Sequence, residues 1–231
     1  MAKGFDQRSG IDYTETFSPV IKPATIRLVL ALAVQFDWNI KQLDVSNVFL
    51  HGTLNEDVFM EQPQGFVDPH HPTFVCKLHK ALYGLKQAPR AWCNRLSLSL
   101  QHLGFVGALV DSSLFIFHSN NVVNFVLVYV DDILVTGNNK AAISSLIHAL
   151  QQEFPLKDLG DLSFFFGIEA ARTPTQLHLR QTKYIIDLLH KIGMVGAKPY
   201  SAPCVFGSQL SSSAGDPLPD PSIYRQVVGA L

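Results

Sequence analysis

The stretch "VNFVLVYVDDILVTGNN", Val123 to Asn139, decides the fold. Phe125 to Val130 is an apolar run, Asp131 and Asp132 follow it, and Ile133, Leu134 and Val135 resume it. Near-continuous apolar runs of this length are what strands covered on both faces look like. Side chains alternate between faces along a strand, so two adjacent acids share a side only where a tight turn intervenes. The pattern therefore predicts a hairpin with Asp131 and Asp132 at its tip. Two carboxylates that close repel, and in a half-buried site one takes up a proton unless a cation neutralises the pair.

Working outward, "SLFIFHSNNVVNF" places Asn120 and Asn121 between two apolar runs, a pair that tolerates the positive φ of a hairpin turn. "KAAISSLIHALQQEF" reads as a helix ended by Pro155. "APRAWCNRLSLSLQHLGF" reads as another, with Pro89 in its first turn, Trp92, Leu96, Leu100 and Leu103 on one face, and Gly104 as its stop. "TIRLVLALAVQFDW" predicts a largely buried helix with Thr25 as its N-cap, and "IKQLDV" a strand ending at Asp44. Downstream, "LSFFFGIEAA" and "QLHLRQ" predict a strand pair and "TKYIIDLLHKIGM" a short amphipathic helix. Gly196 to Pro221 reads as a Pro-, Ser- and Gly-rich linker, and "SIYRQVVGAL" as the start of a helix that the chain leaves unfinished. The order of elements fits an α+β sheet of the split β-α-β type.

Asp44 ends an apolar strand of its own. If that strand neighbours the hairpin, three carboxylates converge. Hard oxygen ligands without nearby Cys or His favour Mg²⁺ or Mn²⁺ over Zn²⁺. Two such ions, about 3.5–4 Å apart, clamp the attacking and leaving oxygens of an in-line phosphoryl displacement. Aspartate is also common in surface turns, so these residues alone leave both readings standing.

An apolar content of 47% against 16% charged residues excludes a disordered chain. No apolar run approaches the roughly 20 residues of a membrane span, and the start "MAKGFDQRSG" has no signal core. An intracellular, membrane-free site is the expectation. Cys76, Cys93 and Cys204 have no metal-binding or disulfide spacing. The net charge of −1 gives no global pull toward nucleic acid, but no acid lies between Asp68 and Asp111. Lys77, Lys80, Lys86, Arg90 and Arg95 fall in that window, which suits either a phosphate-rich ligand or a solvated face.

Several long segments, in order, resemble the reverse transcriptase of copia-type LTR retrotransposons. "GIDYTETFSPVIKPATIRLVLALA" resembles the opening palm and finger segment, and "QLDVSNVFLHGTLNEDVFMEQPQGF" the motif A region. "CKLHKALYGLKQAPRAW" is similar to motif B, "LVYVDDILVTG" to motif C, and "FPLKDLGDLSFFFGIE" to motifs D and E. "LRQTKYIIDLL" resembles the segment leading into the thumb. The resemblance implies a right-hand polymerase palm with partial fingers and the start of the thumb. Residues 1–160 would be fingers and palm, 161–195 the primer-grip strands and following helix, and 196–231 a linker and truncated start of the thumb or connection.

The implied activity is RNA-directed DNA polymerase, with nucleotidyl transfer to a primer 3′-hydroxyl. Asp44, Asp131 and Asp132 would be the catalytic metal ligands, assisted by the carbonyl of Val45, and Mg²⁺ or Mn²⁺ the cofactor. Phe49 matches the sugar gate that rejects a ribose 2′-hydroxyl. Tyr83, Lys86 and Gln87 match nucleotide contacts; Gly84, Arg90, Tyr129 and Gly167 match nucleic-acid contacts; Lys157 matches a general acid for the leaving pyrophosphate. Read without the resemblance, Phe49, Phe165 and Phe166 suit an ordinary core better, and Lys157 a solvated surface equally well. The implied partners are an RNA or DNA template-primer and deoxynucleotide triphosphates, in a virus-like particle or the nucleus.

The chain departs from the family pattern in places. Met1 stands where the basic finger segment with its triphosphate-binding arginine would end, and Val48 where alanine is usual beside the nucleotide sugar. RNase H, integrase and protease segments are not in the sequence. A second expectation follows, a non-catalytic retrotransposon-derived fragment that folds and at most binds nucleic acid.

Overall fold

A computed structural model describes residues 2–173, 175–199 and 218–230. The fold is mixed α and β with antiparallel sheets. The chain forms two compact units, Met1–Phe166 with Ala170–His178, and Gly167–Glu169 with Leu179–Leu231.

The first unit begins with a 3₁₀ turn at Gly4–Asp6 and helix α1 (Pro23–Gln35). Strand β1 (Ile40–Val45) follows, then a 3₁₀ turn at Val48–His51. Strands β2 (Thr53–Glu61) and β3 (Val75–Lys80) form a separate two-stranded sheet. Helix α2 (Ala88–His102) leads into β4 (Val106–Ala108), β5 (Asp111–Ser119), β6 (Val122–Tyr129) and β7 (Asp132–Gly137). Helix α3 (Lys140–Glu153) and β8 (Leu156–Asp161) complete the main sheet, which runs β4-β5-β6-β7-β1-β8. β9 (Phe164–Phe165), β10 (Ile168–Arg172) and β11 (Leu177–Arg180) make a three-stranded sheet.

The main sheet is covered on both faces, which explains the apolar runs that carry it. Leu43, Val45, Val126, Val128, Ile133 and Val135 share a core cluster with Trp92, Leu96 and Leu100 of α2 and Ile147 and Leu150 of α3. Ile40, Leu114, Leu127 and Leu134 cluster instead with Ile26, Val29, Leu30 and Ala33 of α1. Period-two alternation along β1 thus sorts Ile40, Gln42 and Asp44 onto the α1 side.

The turn at Asn120-Asn121 is as expected, with φ of 48° and 65°, the two positive values of a type I′ hairpin. Asn139 caps α3 by accepting from the Ala142 N–H at 3.0 Å, and Gly104 closes α2 with φ +86°. Thr25 is not the N-cap of α1: the helix starts at Pro23 with Lys22 in the cap position. The capping acceptor comes from β5, since Asp111 takes the Lys22 N–H at 2.9 Å and the Thr25 hydroxyl at 2.6 Å. Burial pushes the Asp111 carboxyl up. Its bonds from Thr25, Lys22 and Ser113 and the Lys22 charge outweigh that and hold it below the usual range.

In the second unit, α4 (Thr182–Lys191) and α5 (Pro221–Val228) lie where the sequence predicts helices. Asp220 caps α5 by accepting from Ser222, and the Tyr184 hydroxyl donates to the Ala230 carbonyl at 2.8 Å. Most of the linker, with Cys204, lies outside the described residues; Cys76 and Cys93 are free thiols.

Candidate active site

The site is a transverse row across four strands. Tyr129 pairs with Asp132 across β6 and β7, Asp132 with Asp44 across β7 and β1, and Asp44 with Lys157 across β1 and β8. Directly opposed residues of antiparallel strands point to the same face, and neighbouring strands lie about 4.8 Å apart. Four side chains singled out in the sequence therefore stand side by side on the α1 face, near the end of the sheet.

Asp131 occupies the two-residue turn between Tyr129 and Asp132, and is exposed. Val130, the first residue of that turn, has φ 54°, and it is the only one of the two with a positive value. This is the II′ pattern, in which glycine is usual at that position and a β-branched residue is strained. Both turn carbonyls are tied to the protein: the Trp92 indole donates to Val130 O at 2.7 Å and the Val45 N–H to Asp131 O at 3.1 Å.

Burial raises the Asp132 carboxyl above the ordinary carboxylate range, and the negative charges of Asp131 and Asp44 add to the rise. A hydrogen bond from Gln42 opposes it. Gln42 is buried, and it precedes Asp44 by two residues on the same face of β1. That i, i+2 spacing from Asp44 is the signal in the sequence for its role.

Hard carboxylate donors whose charges already oppose one another, on one sheet face, suit a divalent cation. Among the described residues, however, no group of three His, Cys, Asp or Glu side chains is arranged as a ligand cluster. The backbone assembles the acids without the side chains closing around a centre.

Phe49 lies in the 3₁₀ turn just after β1, half-buried against the core, with its ring centroid 4.8 Å from that of half-exposed Tyr83. Two residues far apart in sequence are thus brought together. Val48 is buried in the core with Trp92, so its methyl groups fill packing space. Gly84 has φ +100° and receives the N-terminal segment, since a Cβ on Gly4 would collide with its carbonyl. Gln87 is only 2% exposed, and its amide is engaged within the chain: it donates to Asp12 O and accepts from the Gln7 amide, each at 3.0 Å. Lys86 is exposed, with Nζ 3.0 Å from Gln7 O and 5.3 Å from the Tyr13 ring centroid.

The acid-free window does not form a bare basic face. Lys77 pairs with Asp57 at 2.6 Å, Arg95 with Glu153 at 2.9 Å, and Arg90 with Glu15. Acids remote in sequence fold onto it. Phe165 is buried, whereas Phe166 is exposed with φ 52° and its ring stands edge-on to Tyr129 at 4.4 Å. Gly167 has φ +74°, a backbone that glycine adopts without strain.

Residues 1–206 match the profile of the family described as reverse transcriptase (RNA-dependent DNA polymerase). The chain is 52% identical over its full length to the retrovirus-related Pol polyprotein from transposon RE1 of Arabidopsis thaliana, and 50% identical to that from transposon RE2. Identity to the Pol polyprotein from transposon TNT 1-94 of Nicotiana tabacum is 41% over 91% of the chain. The chain spans 16% of the length of each of these polyproteins.

Proposed function

The chain belongs to the reverse transcriptase (RNA-dependent DNA polymerase) family, as the corresponding part of copia-type retrotransposon Pol polyproteins, and from that membership we propose that it extends a primer on an RNA or DNA template. The observation that carries the reading is the register of Asp44 opposite Asp132, with Asp131 in the adjoining turn. The sheet with α1 on one face and α2 and α3 on the other is, in this reading, a polymerase palm. The segment before α1 and the β2–β3 hairpin form part of the fingers.

Asp44, Asp131 and Asp132, with the Val45 carbonyl, would hold Mg²⁺ or Mn²⁺. The chemistry such ions supply when bound is a lowered pKa for a primer 3′-hydroxyl and neutralisation of charge developing on a triphosphate. The remaining roles belong to the chain itself. Phe49, backed by Tyr83, presents a ring edge that excludes a ribose 2′-hydroxyl and selects deoxynucleotides. Lys157, opposite Asp44 and exposed, delivers a proton to the leaving pyrophosphate. Tyr129 and Phe166 offer aromatic surface to the primer end, and the Gly84 and Gly167 backbones allow close approach of nucleic acid. Lys86, like Lys80, has no carboxylate partner among the described ion pairs, and it contacts triphosphate. Gln87 acts indirectly, by fixing the loop that carries Tyr83 and Lys86.

Primer extension on a homopolymer template with Mg²⁺ tests the reading. Synthesis that Asp131→Asn abolishes supports it. Salt-dependent binding of template-primer without synthesis would sink it in favour of a non-catalytic nucleic-acid binder.

A further inference from the structure

The indole of Trp92 lies behind the acidic turn, on the opposite face of the sheet from Asp44 and Asp132. It is 1% exposed, and a buried indole N–H needs an acceptor. The acceptor is neither a helix nor a side-chain group but the carbonyl of Val130, at 2.7 Å. Val130 is itself 37% exposed and held at φ 54°, a conformation that valine avoids and glycine adopts freely. The next carbonyl, that of Asp131, is held at 3.1 Å by the N–H of Val45, the residue after Asp44. The strained turn is therefore pinned at two successive carbonyls, once from α2 and once from β1.

We propose that Trp92 is a positioning residue whose indole N–H holds the Val130 carbonyl, and with it the turn, so that Asp131 and Asp132 keep their place relative to Asp44. Its consequence for catalysis rests on the polymerase reading; the holding of the turn does not. The ring contacts of Trp92 with Phe154, edge-on at 5.2 Å, and with His51, at 6.2 Å, serve the core and would survive in a phenylalanine. The donated proton would not. Glycine at position 130 would make the positive φ intrinsic and remove the need for the indole anchor.

The experiment compares wild type, Trp92→Phe, Val130→Gly and the double variant by amide hydrogen exchange and by primer extension. Loss of one anchoring hydrogen bond corresponds to roughly five- to tenfold lower protection of the Val45 amide in Trp92→Phe. A similar fall in kcat is expected, with the KM for nucleotide within about twofold. In the Val130→Gly background the same substitution should cost less than about twofold in either readout. In the wild-type chain the Trp92 indole proton should exchange as slowly as the Val45 amide, a measurement that needs no variant to fold. Unchanged Val45 protection in Trp92→Phe overturns the proposal, as does an equal loss in both backgrounds or an indole proton that exchanges freely. If wild type makes no product while Val45 protection falls as stated, the polymerase reading fails and the anchoring role stands.

Discussion

Asp44 and Asp132 face each other directly across β1 and β7, two carboxylates at the position where an antiparallel sheet brings side chains closest. Like charges so placed oppose folding, and nothing in the surrounding core requires them. Asp132→Asn removes the opposition while keeping size and hydrogen bonding to Gln42. Its expected effect is a gain in stability of about 0.2–1 kcal/mol, with primer extension lost. Denaturant unfolding of both proteins in metal-free buffer checks it. A destabilised variant would mean that the charge repulsion is already relieved within the fold.

Asp111 makes the opposite prediction. Its carboxylate stands in for the missing cap of α1, and its folded pKa lies below the ordinary value of 3.8. A depressed carboxylate contributes stability that is complete above its unfolded pKa and is lost as pH falls through the folded one. Stability should therefore decline on acidification below about pH 4, and the decline should be shallower in Asp111→Asn. At neutral pH that variant should lose about 1–3 kcal/mol, since the Thr25 hydroxyl and Lys22 N–H lose a charged acceptor. Urea unfolding of both proteins at stepped pH values measures both effects.

These two aspartates also mark what could be read from the chain before folding. Asp131 and Asp132 stood out because apolar runs flanked them on both sides, and the hairpin at Asn120-Asn121 because the two asparagines announce a positive-φ turn. Local chemistry sufficed there. The pairing of Asp44 with Asp132 depends on which strands become neighbours, a long-range choice that residue patterns leave open. Strand β8 went unread because "LKDLGD" is mostly exposed and carries Gly160 at φ +88°. The Thr25 cap failed because its rival, Asp111, is distant in sequence and enters from another strand. The basic window left two readings open for the same reason: Asp57, Glu15 and Glu153 lie outside it and close onto it only in the fold.

That closure has a measurable consequence. The charge of Arg95 is engaged by Glu153, while the Glu153 carboxylate also accepts from Ser99 at 2.7 Å. Arg95→Met should change template-primer affinity by less than about twofold and leave the salt slope unaltered. Lys86→Met should reduce that slope by about one. Filter binding over a range of salt concentrations separates the two, and an equal loss for both would restore a continuous basic face.

Phe49 joins the acidic row to the motif B loop. Its ring rests on Tyr83 and on the core, so in the polymerase reading its position is fixed before a nucleotide arrives. A fixed edge discriminates by collision, and shortening it opens space for one hydroxyl. Phe49→Val should raise the relative use of ribonucleotides by roughly 10- to 200-fold, the range that pocket size alone commands. The same change empties half-buried core volume, so stability should fall by roughly 1–3 kcal/mol. The two effects are separable: Tyr83→Ala removes the backing ring without shortening Phe49. If the gate depends on being held, that variant loses discrimination as well, though by less. Competition of ribo- and deoxynucleotide triphosphates in single-turnover extension reads both, and discrimination unchanged in Phe49→Val would remove Phe49 from the nucleotide site.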